Sequence, residues 1–231
     1  MRGEEKSDFD KKLRDSLQDV EDKINKEYMK TIVNKIEIDG ADIEYKGKGE
    51  VYGTILNQFS MDEYRNNFRI ATTTGNVWGG NSENNIYVLD EDLKVIGKLE
   101  GMAKGERIYS SRFIGERVYL VTFKKIDPFF VIDLSDEENP KVLGYLKIPG
   151  YSDYLHPYDE NHIIGIGKDT AEPTDEESAG RETDFAWYQG LKISLFDVTD
   201  VENPKETAKI VVGERGTDSN ALYDHKAFLF N

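Results

Sequence analysis

The 231-residue sequence contains no cysteine. This absence excludes disulfide bonds, thiolate nucleophiles, and zinc or iron–sulfur sites built on cysteine ligands, and it leaves the redox compartment open. The sequence also lacks any run of about eighteen apolar residues, the length that a membrane span requires. Its first residues, Met1 to Lys6, are charged and do not resemble a signal peptide. We therefore expect no membrane insertion, and this chain carries no visible targeting signal.

Basic residues are outnumbered by acidic ones. Thirty Lys and Arg residues stand against 45 Asp and Glu residues, which gives a formal net charge of −15. Such an acidic surface repels phosphate groups, so nucleic acid and anionic membranes are excluded as general partners. Apolar residues make up 38% of the chain, enough to bury a substantial core.

Two regions with different hydrophobic periods divide the chain at about residue 30. The first region, 1–30, has apolar residues every three or four positions and predicts one charged amphipathic helix over about 8–29. These residues are Phe9, Leu13, Leu17, Val20, Ile24 and Tyr28. The second region, 31–231, consists of short runs rich in Val, Ile, Tyr, Phe and Thr between turn residues, which indicates an all-β domain.

A repeated strand-and-turn motif identifies the architecture of the second region. Residues 129–141 match 195–205, and 86–93 are a shorter copy. Asp90 and Asp133 are 43 residues apart, a period typical of a four-stranded propeller blade. The next interval is longer because it contains a polar insertion, Lys168 to Gly190.

These repeats predict a partial β-propeller with three complete blades and two half blades. The complete blades are expected at 51–100, 107–148 and 151–212, with the first blade beginning in a strand at 51–60. The half blades are a hairpin at 31–46 and two strands at 219–223 and 226–230. Second strands with apolar residues on both faces, as at 117–123, are expected to lie sandwiched between neighbouring blades.

The two half blades leave two ways of ending the propeller. They could pair with each other and close a four-bladed ring, or the chain could form an open arc cut from a longer propeller. We favour the arc, whose uncovered blade edges predict self-association.

Several segments resemble a known family. They are Asn57–Arg69 (NQFSMDEYRNNFR), Asp127–Asp136 (DPFFVIDLSD), Tyr154–Pro157 (YLHP) and Ala221–Phe228 (ALYDHKAF). Together they are similar to archaeal and bacterial secreted proteins with a C-terminal β-propeller domain distantly related to WD repeats. The resemblance covers about residues 31–231. It implies a propeller fold and an extracellular or cell-surface location, and it brings no established activity.

The D-x-[ST]-D-x-x-N-P motif at 133–140 and 197–204 could supply oxygen ligands to a cation. We interpret it as a tight turn, because Asp and Asn side chains bond to their own backbone and Pro fixes the exit of the chain. The three histidines, His156, His162 and His225, are assigned packing or turn roles. No nucleophile motif or phosphate-binding loop is present, so we expect no metal site, no cofactor and no catalytic residue.

Strand direction places three loops, 75–85, 124–128 and 168–190, on one face of the propeller. This face carries both tryptophans of the chain. The candidate ligand-binding residues there are Trp78, Asp127, Trp187 and Tyr188. The sequence therefore favours a non-enzymatic module that binds a protein, peptide or glycan. The alternatives are a propeller-type glycoside hydrolase or lyase that uses carboxylates over the central channel, and a structural fragment with no activity of its own.

Overall fold

A computed structural model describes residues 3–77, 79–123, 127–171 and 187–230 of the chain. It contains one helix, α1 (Gly3–Tyr28), followed by fourteen described strands. The strands are β1 (Lys30–Asp39), β2 (Asp42–Tyr52), β3 (Met61–Tyr64), β4 (Asn67–Thr74), β5 (Glu83–Leu89), β6 (Val95–Met102), β7 (Arg107–Ile114), β8 (Arg117–Phe123), β9 (Asp127–Asp133), β10 (Lys141–Ile148), β11 (Tyr151–Pro157), β12 (His162–Ala171), β13 (Trp187–Asp197) and β14 (Lys205–Val212).

Twelve of these strands form three antiparallel four-stranded sheets in which each strand pairs with its neighbours in sequence. Blade 1 is β3-β4-β5-β6, blade 2 is β7-β8-β9-β10 and blade 3 is β11-β12-β13-β14. The remaining two strands, β1 and β2, form a separate N-terminal hairpin. This arrangement confirms the predicted all-β propeller with one N-terminal helix. None of the helices in the described residues has both the length and the apolar character needed to cross a membrane.

The prediction that the first strand of blade 1 spans residues 51–60 is wrong. Strand β2 runs without interruption to Tyr52, and a short 3₁₀ turn follows at Gln58–Ser60. The side chain of Asn57 accepts a hydrogen bond from the backbone N–H of Phe59 and caps this turn. Because Asx caps compete with strand pairing, the first strand of the blade begins only at Met61.

The strands predicted at 219–223 and 226–230 are also absent. The segment instead forms two 3₁₀ turns, Asn220–Leu222 and His225–Ala227. The side chains of Ser219 and Asp224 accept hydrogen bonds from the backbone N–H groups two residues later. These capping bonds bend the backbone away from the extended conformation.

The N-terminal hairpin pairs with no other strand of the described chain. Its register runs from Lys30 opposite Tyr52 to Asp39 opposite Asp42. It therefore makes no strand pairing with residues 219–230, as expected for an open arc and not for a ring closed by such pairing.

The core of the protein lies between the blades. Blade 2 shows this best, because alternate residues of its second strand, β8, enter different clusters. Val118 and Leu120 pack with blade 1 residues such as Val88. Tyr119 and Val121, on the opposite face, pack with blade 3 residues such as Phe196. The predicted sandwiching of strand 117–123 is therefore confirmed, and each sheet depends on its neighbours to bury its apolar faces.

A close backbone contact joins the outer strands β2, β6 and β10 to the blade that follows each of them. A Cβ atom at Gly97 of β6 would overlap the carbonyl oxygen of Glu137, in the turn between β9 and β10. A Cβ atom at Gly144 of β10 would likewise overlap the carbonyl oxygen of Glu202, in the turn between β13 and β14. In the N-terminal hairpin, Gly49 lies against the backbone of Leu93 in blade 1. Glycine is required at these positions because the turn of the following blade occupies the space that a side chain would fill.

Arg69 of blade 1 connects blades 1 and 2 on the inner side. Its side chain is only 2% exposed, and it forms an ion pair with Asp62. Its Nη1 donates a hydrogen bond to the carbonyl oxygen of Gly115, in the first turn of blade 2, over 2.6 Å. The guanidinium also lies over the rings of Tyr64 and Phe113. This buried cation is therefore paired and hydrogen-bonded, as a buried charge must be to be tolerated.

We predict that Gly97→Ala destabilises the protein by about 2 kcal/mol or more, because the new methyl group forces the turn at Glu137 away from β6. Equilibrium unfolding in urea measures the change. Gly79→Ala is the matched control, because the added Cβ would meet its nearest neighbour at an ordinary 3.5 Å. Equal free energies of unfolding for the two variants would contradict the proposed close contact between blades.

Candidate ligand-binding cleft

A cleft of about 660 Å³ opens where the three blades meet. Three aromatic side chains line it: Tyr109 near the start of β7, Phe123 at the end of β8, and Tyr188 near the start of β13. The loop at 75–77 of blade 1 forms another wall. The cleft therefore takes residues from every blade, on the face where the sequence placed the binding loops.

The rings at the cleft form one connected cluster around Tyr151. The centroids of Tyr109 and Phe123 each lie 4.7 Å from that of Tyr151, and the centroid of Tyr188 lies 5.5 Å from it. The edge-on and tilted geometries are those that aromatic pairs prefer. Tyr188 keeps 43% of its surface exposed. Its neighbours therefore hold its ring in place while part of it remains open to a ligand.

Arg107 supplies the positive charge of the cleft. Its guanidinium carbon lies 4.8 Å from the centre of the Tyr109 ring, and its Nη2 donates a hydrogen bond of 3.4 Å to the Tyr109 hydroxyl. Both contacts orient the guanidinium, whose remaining N–H groups can donate to oxygen atoms of a ligand. The cleft thus combines aromatic rings with one oriented cation.

Asp153 lies on the adjacent first strand of blade 3, at a β-bulge. The register of β11 and β12 jumps from Ser152 opposite Gly167 to Tyr154 opposite Ile166, so Asp153 has no partner in the ladder. Bulges of this kind often redirect a side chain next to a functional site.

Burial raises the pKa of Asp153 to about 7. The nearby cations Lys168 and Arg107 lower it, and Asp218 raises it further. Lys168 itself donates hydrogen bonds to the carbonyl of Thr217 and to Asp218. Asp153 is therefore a carboxyl group that can exchange a proton near neutral pH, beside a lysine and a second carboxylate.

Of the four predicted binding residues, Tyr188 is the one whose side chain the structure describes. Tyr188 lines the cleft. Trp78 lies outside the described residues, next to the wall residue Val77. The backbones of Asp127 and Trp187 begin β9 and β13, but their side chains lie outside the described part of the chain. The binding role of all four residues stays a prediction.

The repeated acidic turns lie at the far end of the blades and are held by their own hydrogen bonds. Asp136 Oδ1 accepts from the backbone N–H of Glu138, and its Oδ2 accepts from the side chain of Asn139. Asp200 makes the same two bonds with Glu202 and Asn203. These bonds confirm the interpretation as Asx turns. Within the described residues, no three His, Asp or Glu side chains are grouped so that they could hold a metal ion.

The histidines lie apart from the cleft. His162 pairs with Asp159, and His225 packs edge-on against Phe59. The Nδ1 of His156 lies 3.0 Å from the Tyr154 hydroxyl, and its pKa is lowered by burial and by Arg112. Their contacts agree with the packing and turn roles predicted from the sequence.

The sequence interpretation missed four residues of this region: Arg107, Tyr109, Tyr151 and Asp153. One signal was present, because Tyr109 and Asp153 are 44 positions apart, close to the blade period. Both occupy bulges in the first strands of successive blades, since the register of β7 and β8 also jumps, between Ile108 and Ser110. An alignment of the first strands of the blades would have shown that Tyr109 and Asp153 occupy equivalent positions.

Comparison with known proteins gives the same architecture. A model of the beta propeller domain matches residues 15–231. The chain belongs to this family. An uncharacterized protein of Methanocaldococcus jannaschii is 44% identical over 233 residues, which cover all of this chain and 34% of that protein. An uncharacterized protein of Archaeoglobus fulgidus is 38% identical over 231 residues, again all of this chain and 33% of that protein.

This beta propeller chain thus spans about a third of the length of the curated relatives that it matches. Neither relative has an assigned activity in its name.

We predict that Asp153→Asn changes how the stability of the propeller depends on pH. In the parent, the carboxyl group keeps its proton up to about pH 7 when folded, against an ordinary pKa of 3.8. The parent therefore loses stability as pH rises from about 4 to 7, by up to about 4 kcal/mol, whereas the amide does not titrate.

The measurement is urea unfolding of both proteins at several pH values from 4 to about 8. The variant should match the parent near pH 4 and become more stable than the parent as pH rises. Parallel pH profiles would show that the surroundings of Asp153 do not raise its pKa.

Proposed function

We propose that the protein is a non-enzymatic β-propeller binding module whose ligand enters the cleft beside Tyr188. The observation that carries this proposal is the cluster of tyrosine and phenylalanine rings that ends in the half-exposed Tyr188. Large aromatic surfaces are costly to leave in water, and they are enriched where proteins bind partners.

The size of the cleft supports a ligand of small or moderate length. A volume of about 660 Å³ lies in the range of small-molecule sites and accommodates a short segment of a larger chain. A peptide segment or a few sugar units would fit this space. We therefore propose that the partner is a protein, a peptide or a glycan that inserts such a segment.

The polar groups of the cleft favour a ligand that carries oxygen atoms beside an apolar face. Arg107 can donate to hydroxyl, carbonyl or carboxylate oxygens, and the ring of Tyr188 can pack against a sugar or an apolar side chain. Burial, together with the neighbouring Tyr109, raises the pKa of Tyr188 to about 12, so its hydroxyl is neutral at ordinary pH.

The test is a screen of the fluorescently labelled protein on oligosaccharide and peptide arrays, with affinities of the hits measured by calorimetry. We expect Tyr188→Ala to weaken binding by at least about 2 kcal/mol, roughly thirtyfold, since the aromatic surface that the ligand would cover is lost. Trp78→Ala and Trp187→Ala test the two tryptophans that the sequence placed on the same face.

Tyr145→Ala is the control, because Tyr145 is a tyrosine with 57% of its surface exposed on the outer strand of blade 2. It should bind as the parent does. If circular dichroism shows all the variants folded, and the Tyr188, Trp78 and Trp187 variants all keep parental affinity, the ligand does not use this cleft.

A second candidate is a propeller-type glycoside hydrolase or lyase, and Asp153 is the observation that favours it. A carboxyl group whose pKa is raised to about 7 can act as a general acid or base near neutral pH. Asp218 nearby has its pKa lowered by hydrogen bonds from Ser219, Tyr223 and Lys168. Carboxyl groups with separated pKa values are typical of acid and base pairs in such enzymes.

Chromogenic glycosides and uronic-acid polymers test this candidate directly. An enzyme of this kind should lose most of its activity in Asp153→Asn, and its pH profile should show a limb near pH 7. Activity that is absent in the parent, or unchanged in the variant, would eliminate Asp153 as a catalytic group.

A further inference from the structure

One face of blade 3 is only half covered. Its inner part is closed by the C-terminal segment, since Ala221 and Leu222 pack against Tyr154 and Ile166. Its outer part, on β13 and β14, carries apolar residues that remain accessible. Ile210 there is 57% exposed.

The corresponding positions in blades 1 and 2 lie in the cores between blades. The register places Ile210 opposite Ile193 in blade 3, as Leu146 lies opposite Phe129 in blade 2 and Leu99 opposite Ile86 in blade 1. Leu146 and Leu99 both pack against such cores. Ile210 therefore occupies an interface position that the described residues of the chain leave exposed.

The position that Gly97 and Gly144 occupy in blades 1 and 2 recurs in blade 3, where it holds Ala208. Ala208 lies two residues before Ile210 and pairs with Leu195, as Gly144 pairs with Val131. At Gly144 the turn of the next blade covers the strand, whereas Ala208 is exposed. The outer face of blade 3 thus continues the series of interfaces, and the outer half of another blade would fit it.

The N-terminal hairpin is such an outer half with one free face. Val33 and Val51 pack on blade 1. On the opposite face, Ile38 pairs with Ile43, and these two side chains are 70% and 73% exposed. In blade 2 the corresponding face, which includes Ile132, packs on the preceding blade. The free face of the hairpin is therefore the surface that a preceding blade would cover.

Both surfaces are exposed in the same molecule, so the hairpin does not cover blade 3 of its own chain. We propose that blade 3 binds the N-terminal hairpin of a second copy, so that the chains associate head to tail. Residues 219–230 of one copy then cover the inner part of blade 3, and β1–β2 of the next copy cover its outer part. A heterologous contact of this kind gives closed rings, or filaments if the rotation does not close. The proposed association uses no residue that lines the ligand cleft.

The test is sedimentation velocity of the 231-residue protein up to about 100 µM, a range over which mass action reveals weak association. The parent should form dimers or larger species. Ile210→Glu damages the blade 3 face, and Ile38→Glu damages the hairpin face. Each variant alone should associate at least about tenfold more weakly, because a charge is placed in an apolar contact.

An equimolar mixture of the two variants gives the decisive result. Each variant keeps one intact face, so the mixture should form a heterodimer that cannot extend further. Tyr145→Glu is the control, because Tyr145 has the same 57% exposure as Ile210 on a strand already covered by blade 3, and it should associate as the parent does. A parent that stays monomeric at the highest concentration, or a mixture that stays monomeric, would overturn the proposal.

Discussion

The structure depends on the burial of apolar sheet faces between successive blades. The second strands carry apolar side chains on both faces, so no blade can bury its own surface. Both faces of blade 2 are buried because blade 1 covers Val118 and Leu120 while blade 3 covers Tyr119 and Val121. Stability in such an array is a sum of terms from each sheet and from each contact between neighbours.

The close contact of each turn with a glycine follows from this packing. The outer strand of one blade must approach the turn of the next closely enough to exclude water, and only a residue without a side chain permits it at Gly97 and Gly144. The same stacking brings the first strands of blades 2 and 3 side by side, where Ser110 Oγ donates a hydrogen bond of 2.6 Å to the carbonyl of Ser152. The cleft that contains Tyr188 is therefore formed by the stacking itself.

Much of this architecture could be predicted from the sequence, because strand pattern and repeat period are local signals. The spacing of Asp90 and Asp133 predicted the length of a four-stranded blade. The motif at 197–204 predicted a tight turn, which its hydrogen bonds confirm. Residues 219–230 could not be assigned correctly, since their apolar pattern suits a strand and only the caps at Ser219 and Asp224 distinguish a turn. Asp153 was missed because a bulge depends on the register of two strands and not on one segment.

The most direct test of the account is amide hydrogen exchange on the monomeric protein, which compares the third strands of blades 2 and 3. Strands β9 and β13 are each paired on both sides, so their hydrogen bonding is equivalent. If contacts between blades supply the stability, the amide of Val131 in β9 should exchange through an opening of higher free energy than that of Leu195 in β13, whose outward face is only partly covered. Equal protection of the two strands, or slower exchange in β13, would contradict the account.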